Sequence, residues 1–354
     1  MRAAVYHGPR DVRVEQVAEP GDPRSDQVKL RVRRVALCGT DAGEFAHGPI
    51  MVPLHMPHPA SGHVGPVVLG HEIVGDVVAV GGAVERISVG DRVVPGAGMW
   101  CGDCRWCQEG RTNLCSSYYT LGLNADGGLT ALLNVPDRMC RIVPAGCALD
   151  AAAMAQPMAV ALHAVARSGV GPDDGVVLIG VGGIGLFVLA GLLDTAGRVV
   201  AVDVDPAKLE TARRLGVHAA IDARAQDAEA QVRDALGGEP VDIVFEASGA
   251  ARSPSFAQRL VRRGGRLMLI GLQAEARPMD LTDLVLREVD IITSVAHVCG
   301  DDLPRSLALL SGGPLAGEAL DRLVTLDAIV SDGLEALVRG EVAGKVVVDL
   351  DGEL

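Results

Sequence analysis

The rhythm of apolar and polar positions changes partway along the chain. Through roughly the first 150 residues, valine-rich runs such as KLRVRRVAL, EIVGDVVAVG and DRVVPG are short and bounded by Gly, Pro and Asp. They predict strands, and helical periods are weak there. Near Leu149 the pattern switches. Asp150 is placed to cap a helix over Ala151–Arg167, which Ser168-Gly169 and Pro172 would end. Strands and helices then alternate. GVVLIG predicts a strand and GIGLFVLAGLLDTAG a helix. RVVAVDVD predicts a strand, and PAKLETARRLG a helix with Pro in its first turn and Gly at its end. HAAIDA, a helix over Ala228–Leu236, VDIVFEASG, a helix over Ser255–Arg263 and GRLMLIGL continue the series. Such alternation predicts an α/β fold with a doubly wound parallel sheet. It weakens after about residue 290, and the closing KVVVDLDG predicts a strand able to return to the first domain.

One stretch, Val176–Leu193, is apolar for eighteen residues, long enough to test as a membrane span. Five of its residues are glycine, four of them within Gly180–Gly185, and Asp173, Asp174 and Asp194 flank it. Strand, glycine turn and helix is the better reading, so no membrane partner is expected. The mean hydropathy of +0.28 follows from the apolar strands and many glycines. The 354 residues carry a net charge of −13 and a pI near 5.1. That balance argues against nucleic acid, whose phosphates need a basic face. The length suggests two or three domains with real cores.

Four of the eight cysteines, Cys101, Cys104, Cys107 and Cys115, fall in CGDCRWCQEGRTNLC with spacing C-x2-C-x2-C-x7-C. Paired disulfides would suit a small secreted domain. This chain is long, and it opens MRAAVYHGPRDVRVE with no apolar leader core. A reducing cytoplasm is therefore the expected location. Four thiolates at this spacing predict a closed, tetrahedral structural zinc site. Iron–sulfur clusters also use C-x2-C-x2-C runs, and the remaining motifs decide against them.

Gly180, Val181, Gly182, Gly183, Ile184 and Gly185 spell G-x-G-x-x-G directly after a predicted strand and at the start of a helix. The first glycine permits a tight turn, the second lets backbone approach a pyrophosphate, and the third packs helix on strand. Asp203 ends the next strand, where a carboxylate accepts from an adenosine ribose hydroxyl. A 2′-phosphate would meet like charge there, so NAD is expected rather than NADP.

CGTD (Cys38–Asp41) and GHE (Gly70–Glu72) stand at strand-to-loop junctions in a chain already rich in zinc donors. Together with VGDRV, the four-cysteine segment, GVGGIG and VDVD, they resemble the zinc-dependent medium-chain alcohol dehydrogenases over nearly the whole chain. The long HGPIMVPLHMPHPASGHVGPVVLGHE stretch resembles the 2,3-butanediol dehydrogenase branch, near the sorbitol and polyol dehydrogenases. The resemblance implies a GroES-like β-barrel catalytic domain at 1–152 and 293–354, with the zinc lobe at 96–118. It implies a Rossmann NAD-binding domain at 153–292, and a catalytic zinc in the cleft between the domains. Two zinc ions per chain and a homodimer or homotetramer are implied as well.

By the same resemblance, Cys38 and His71 are catalytic zinc ligands. Glu72 is a carboxylate able to enter or leave the metal shell, and Thr40 is the hydroxyl that takes the alcohol proton. The third ligand departs from the pattern, because Gln156-Pro157 stands where Glu-Pro is usual. A Cys/His/Gln set leaves the metal with one positive charge that Cys/His/Glu would cancel. Either Gln156 reaches the zinc, directly or through water, or Glu72 moves in. Gly43 replaces a relay histidine, and His47 is a candidate substitute or a plain loop histidine. His163, Cys140, Cys147 and Cys299 read as core or interface residues. The implied reaction is reversible oxidation of a secondary alcohol, most simply a vicinal diol, to its ketone with hydride transfer to NAD. Other polyols, sugars or amino-alcohols are the alternative substrates. A non-catalytic nucleotide-binding relative would have no reason to keep Cys38, Thr40 and His71.

Overall fold

The structure is a computed structural model and describes every residue except Ala274 and Leu354. The chain forms two compact units, Met1–Ala159 with His297–Leu354, and Val160–Ala296.

The first unit begins β1 (Arg2–Gly8), β2 (Asp11–Gln16), β3 (Gln27–Ala36), α1 (Gly39–His47), β4 (Val67–Val68) and β5 (Glu72–Val80). It continues β6 (Arg92–Pro95), β7 (Gly98–Met99), α2 (Arg105–Gln108), β8 (Tyr119–Thr120), β9 (Leu132–Pro136), β10 (Cys140–Ile142) and α3 (Leu149–Ala153), and α4 (Ala155–Ser168) runs on into the second unit. Along β3, Val28, Leu30 and Val32 are buried while Arg31 is exposed, which is the two-residue alternation of a half-buried strand. Tyr6, Leu30, Phe45, Ile73, Leu129 and Met139 anchor this unit's core.

The predicted single helix over Ala151–Arg167 is in fact two. Pro157 has no N–H to donate to the Ala153 carbonyl, so the turn fails at Met154 and a new helix starts. Asp150 is not the cap. Ala148 holds that position, and Asp150 lies in the first turn of α3 beside Arg34 at 3.1 Å.

The second unit runs β11 (Gly175–Ile179), α5 (Gly183–Leu193), β12 (Arg198–Asp203), α6 (Pro206–Leu215), β13 (Ala219–Asp222), α7 (Ala228–Ala235), β14 (Val241–Glu246), α8 (Ser253–Leu260), β15 (Val261–Leu269), α9 (Leu281–Leu286) and β16 (Asp290–Thr293). Its six strands lie in the order β13-β12-β11-β14-β15-β16, all parallel. That is the doubly wound arrangement predicted, with its switch point between β11 and β14. Caps set the helix lengths: the Asp205 side chain accepts from Ala207 N–H at 2.9 Å at the start of α6, and Gly216, at φ 97°, ends it. The helix expected at Ser255–Arg263 starts earlier, at Ser253, because Pro254 suits a first turn. The Val176–Leu193 stretch divides into β11, the glycine turn and α5. Among the described residues, no helix is long and apolar enough to cross a membrane.

The chain then returns to the first unit as α10 (Asp302–Leu310), α11 (Leu315–Ala319), β17 (Leu320–Thr325), α12 (Glu335–Val338) and β18 (Lys345–Asp349). β18 pairs antiparallel with β3, Val347 opposite Ala36 and Asp349 opposite Arg34. The seven-stranded sheet runs β10-β6-β5-β3-β18-β17, with β9 also on β3. The return of KVVVDLDG is what brings Lys345 to the site described next.

Candidate metal centres and dinucleotide site

At the end of β3 the chain turns into α1, with Cys38 in extended conformation at the helix start. Asp41, fully buried, accepts from the Cys38 N–H at 2.9 Å through one oxygen. Its other oxygen lies 3.5 Å from His71 Nδ1. His71 immediately precedes β5 and Glu72 begins it. Gly70 precedes them at φ 95°, where a side chain would strike Leu129 and Val35 at 2.8 and 2.9 Å. The ligand atoms of Cys38, His71 and Glu72 lie within 4.8 Å of one another. Thr40 Oγ1 stands 3.6 Å from Cys38 Sγ.

One residue missed from the sequence organises the charge here. Lys345 Nζ donates to Glu72 Oε1 at 2.6 Å and to the Leu37 carbonyl at 3.1 Å, and both ends of the pair are buried. The other Glu72 oxygen has no hydrogen-bond partner among the described residues. Burial pushes the Cys38 thiol up, but Lys345 and His71 outweigh it and hold the thiol below its ordinary value. Burial pushes His71 down, and Asp41 with Cys38 carry it well above. Burial likewise works against the charged Lys345, and Glu72 and Cys38 raise it overall. A thiolate, an imidazole and a carboxylate with an idle oxygen, converging on one point, form a donor set that fits zinc. Gln156 is buried at the second position of α4. It follows α3, which packs on β3 and β5. His47 ends α1, exposed.

The four-cysteine segment builds a second candidate centre locally. Sγ separations are 3.4 Å (Cys101–Cys115), 3.6 Å (Cys104–Cys107) and 4.0 Å (Cys101–Cys107). Four sulfurs at about 2.3 Å from one zinc would stand about 3.8 Å apart, so the cradle fits. Backbone N–H groups of Cys101 and Ser117 point at Cys115 Sγ, and that of Cys104 at Cys101 Sγ, at 3.3–3.4 Å. Hydrogen bonds from the Ser116 and Cys107 backbone pull the Cys104 thiol down to about 6. Among the described residues no two cysteines are joined by a disulfide. Cys140, Cys147 and Cys299 are buried.

At the switch point of the parallel sheet, Gly180 takes φ 91°, and a side chain there would meet Ser248 at 2.7 Å. A side chain on Gly185 would collide with the Gly180 carbonyl. Gly182 opens α5, and Lys208, unremarked in the sequence, brings its ammonium 3.3 Å from where a Gly182 Cβ would stand. Asp203 ends β12, and its two oxygens accept from Val181 N–H at 2.7 Å and Asp205 N–H at 2.9 Å. It therefore braces the glycine turn, and each oxygen keeps a lone pair for a ribose hydroxyl. A bare helix start beside an ammonium is suited to a pyrophosphate.

Residues 24–145 match the family model of the alcohol dehydrogenase GroES-like domain, and residues 183–312 that of the zinc-binding dehydrogenase. A sorbitol dehydrogenase of Bacillus subtilis is 30% identical over 318 residues, 88% of this chain and 86% of that protein. This chain belongs to the zinc-binding alcohol dehydrogenase family. Like other alcohol dehydrogenases, it is an oxidoreductase of CH–OH donors, with zinc and a nicotinamide dinucleotide as its expected cofactors. An (R,R)-butanediol dehydrogenase of Neisseria gonorrhoeae is 30% identical over 354 residues, 99% of each chain. The crystal structure of 2R,3R-butanediol dehydrogenase from Bacillus subtilis superimposes with a TM-score of 0.91 at 28% identity, covering 99% of both chains.

Proposed function

We propose that this alcohol dehydrogenase reversibly oxidises a secondary alcohol, a vicinal diol such as 2,3-butanediol, to its ketone with NAD as hydride acceptor. The convergence of Cys38, His71 and Glu72 beside the Thr40 hydroxyl carries this reading. Cys38 and His71 hold a catalytic zinc, Gln156 or Glu72 completes its shell, and the four cysteines hold a structural one. When bound, the catalytic zinc supplies a Lewis acid that lowers the pKa of the alcohol oxygen. Lys345 favours the thiolate form of Cys38 and balances Glu72. Asp41 faces Nδ1 of His71, which leaves Nε2 for the metal. Thr40 Oγ1 takes the alcohol proton and passes its own on toward solvent. The glycine turn Gly180–Gly185 and Lys208 receive the pyrophosphate, and Asp203 the adenosine ribose. Asp203 places a carboxylate where the adenosine ribose would lie, which favours NAD over a 2′-phosphate.

The sorbitol dehydrogenase relative favours a second reading, a polyol substrate at the same site. NADH formation across diols, sorbitol, threonine and simple secondary alcohols, with zinc counted per chain, tests both. A strong preference for sorbitol would replace the diol, and no turnover with two zinc ions bound would sink both. A homo-oligomer is also proposed, formed along the open edge of the parallel sheet. There β16 exposes Ile291, and neighbouring α9 exposes Leu281, Val285 and Leu286. A monomer by light scattering at micromolar concentration would contradict it.

A further inference from the structure

The loop from Gly48 to Gly70 leaves α1, which carries Cys38 and Thr40 at its start, and returns to His71. Its first limb is held by a carboxylate that the chemistry above does not use. Glu44, on α1, is fully buried, and no Lys or Arg among the described residues pairs with it. Three successive amides satisfy it instead: Ile50 N–H donates to Oε2 at 2.9 Å, and Met51 and Val52 N–H donate to Oε1, the latter at 3.3 Å. A buried carboxylate is stable without a counter-ion only when hydrogen-bonded in this way. Burial and Glu44 together raise the fully buried Tyr6 hydroxyl to about 12. Gly48 is required by the close approach. A Cβ there would collide with Tyr6 Oη and with both the carbonyl and Oε2 of Glu44.

The same limb is gripped from its other side. Asn124 Nδ2 donates to the Met51 carbonyl at 2.9 Å, while Asn124 Oδ1 accepts from Thr120 N–H at 2.9 Å. Met51 is thus tied through its N–H to Glu44 and through its carbonyl to Asn124. The fastening fixes Ile50, whose Cδ1 lies 4.0 Å from where a Gly43 Cβ would be. Gly43 shares a face of α1 with Thr40 and His47 by three- and four-residue spacing. Ile50 and Met51 stay 65% and 40% exposed although their backbone is rigidly held, so an apolar surface stands ready beside the Thr40 face.

We propose that Glu44 is a specificity-determining positioning residue. By fastening the Ile50–Val52 backbone, its carboxylate holds the Ile50 and Met51 side chains as an apolar wall on the Thr40 face, and so selects secondary alcohols flanked by a short alkyl group over polyhydroxyl chains. This rests on the reaction proposed above. The test combines hydrogen exchange at residues 50–52 with steady-state kinetics of the zinc-loaded enzyme on 2,3-butanediol and sorbitol. In Glu44→Ala the three amides exchange at least about tenfold faster, and KM for butanediol rises about tenfold. Its kcat, KM for NAD and zinc content stay near wild type, and the butanediol-to-sorbitol preference falls. Glu44→Gln keeps one acceptor oxygen for Met51 and Val52 and restores most of the protection and selectivity. Asn124→Ala, acting on the same peptide from the opposite side, gives the same KM shift, and the double variant is less than additive. The proposal is overturned if the amides of Glu44→Ala lose protection while substrate preference is unchanged. It is also overturned if kcat, both KM values and zinc content all move together, as general destabilisation would cause. If the wild type turns over neither alcohol, the reaction assignment fails, and the specificity role falls with it. Protected wild-type amides at 50–52 would then leave only the structural clamp, and unprotected ones would remove that too.

Discussion

The two candidate metal centres are built in opposite ways. The cysteine lobe draws all four donors from fifteen consecutive residues, and neighbouring backbone N–H groups supply its second layer of hydrogen bonds. The Cys38 centre takes one donor from the start of α1, just past β3, and two from the point where the chain enters β5. Its controlling charge, Lys345, lies 273 residues beyond Glu72. The lobe is largely exposed at Cys101, whereas His71 and Glu72 are buried. A local, solvent-accessible site needs only its own loop to hold its shape. A buried site assembled from distant strands needs the whole unit, and the exclusion of water there strengthens each interaction between its charges.

Removing one donor from each centre separates them most sharply. His71→Ala abolishes alcohol-dependent NADH formation, and metal analysis finds one zinc per chain lost while the other remains. Retained turnover would break the assignment of this centre to chemistry. Cys104→Ser, in the lobe, also loses one zinc. Its loss of activity follows local unfolding, seen as new protease cleavage between residues 101 and 115. A variant that cleaves there yet keeps full activity would confine the lobe's role to stability. Lys345→Met leaves Glu72 buried and unpaired, which costs about 3–5 kcal/mol by chemical denaturation. Adding Glu72→Gln recovers much of that. Equal losses in the single and double variants would mean the pair is not coupled.

The smallest effect tests whether burial is what distinguishes the sites. Asp351 pairs with Arg33 and with Arg34 at 3.0 Å on the exposed side of the same chain return that delivers Lys345. The Arg33 guanidinium, hydrogen-bonded to it, lowers the Asp351 carboxyl to about 2. A depressed carboxyl stabilises the fold above its unfolded pKa of about 3.9 and loses that contribution as pH falls toward about 2. Asp351→Asn therefore costs less than about 1 kcal/mol near neutral pH, because both partners are partly solvated. It flattens the acid limb of stability between roughly pH 4 and 2. A cost comparable to that of Lys345→Met would remove burial as the explanation.

Features carried by short stretches were legible without coordinates. The cysteine cradle, the glycine turn and the strand–helix alternation all depend on contacts within a few residues or on one repeating period, and Asp203 was legible from its place at the end of the next strand. Legibility failed where a local rule met another. Pro157 overrode a continuous helical pattern and split it into α3 and α4. Lys208 read as an ordinary helix residue, and only the fold of α6 against the turn set its ammonium beside Gly182. Glu44 carried no signal in the sequence, and it is fully buried because the next loop folds back over it.

The amino-acid sequence by itself determined which donors exist, the two-part α/β architecture and the family. Residue spacing acts through local backbone geometry, which no distant contact has to supply. The tertiary structure alone decided which charges face one another at the Cys38 centre and the shape of the wall near Thr40. Those depend on Lys345 arriving with β18 and on Glu44 meeting the amides of Ile50–Val52. Both meetings gain their strength from the exclusion of water, which only the folded chain provides.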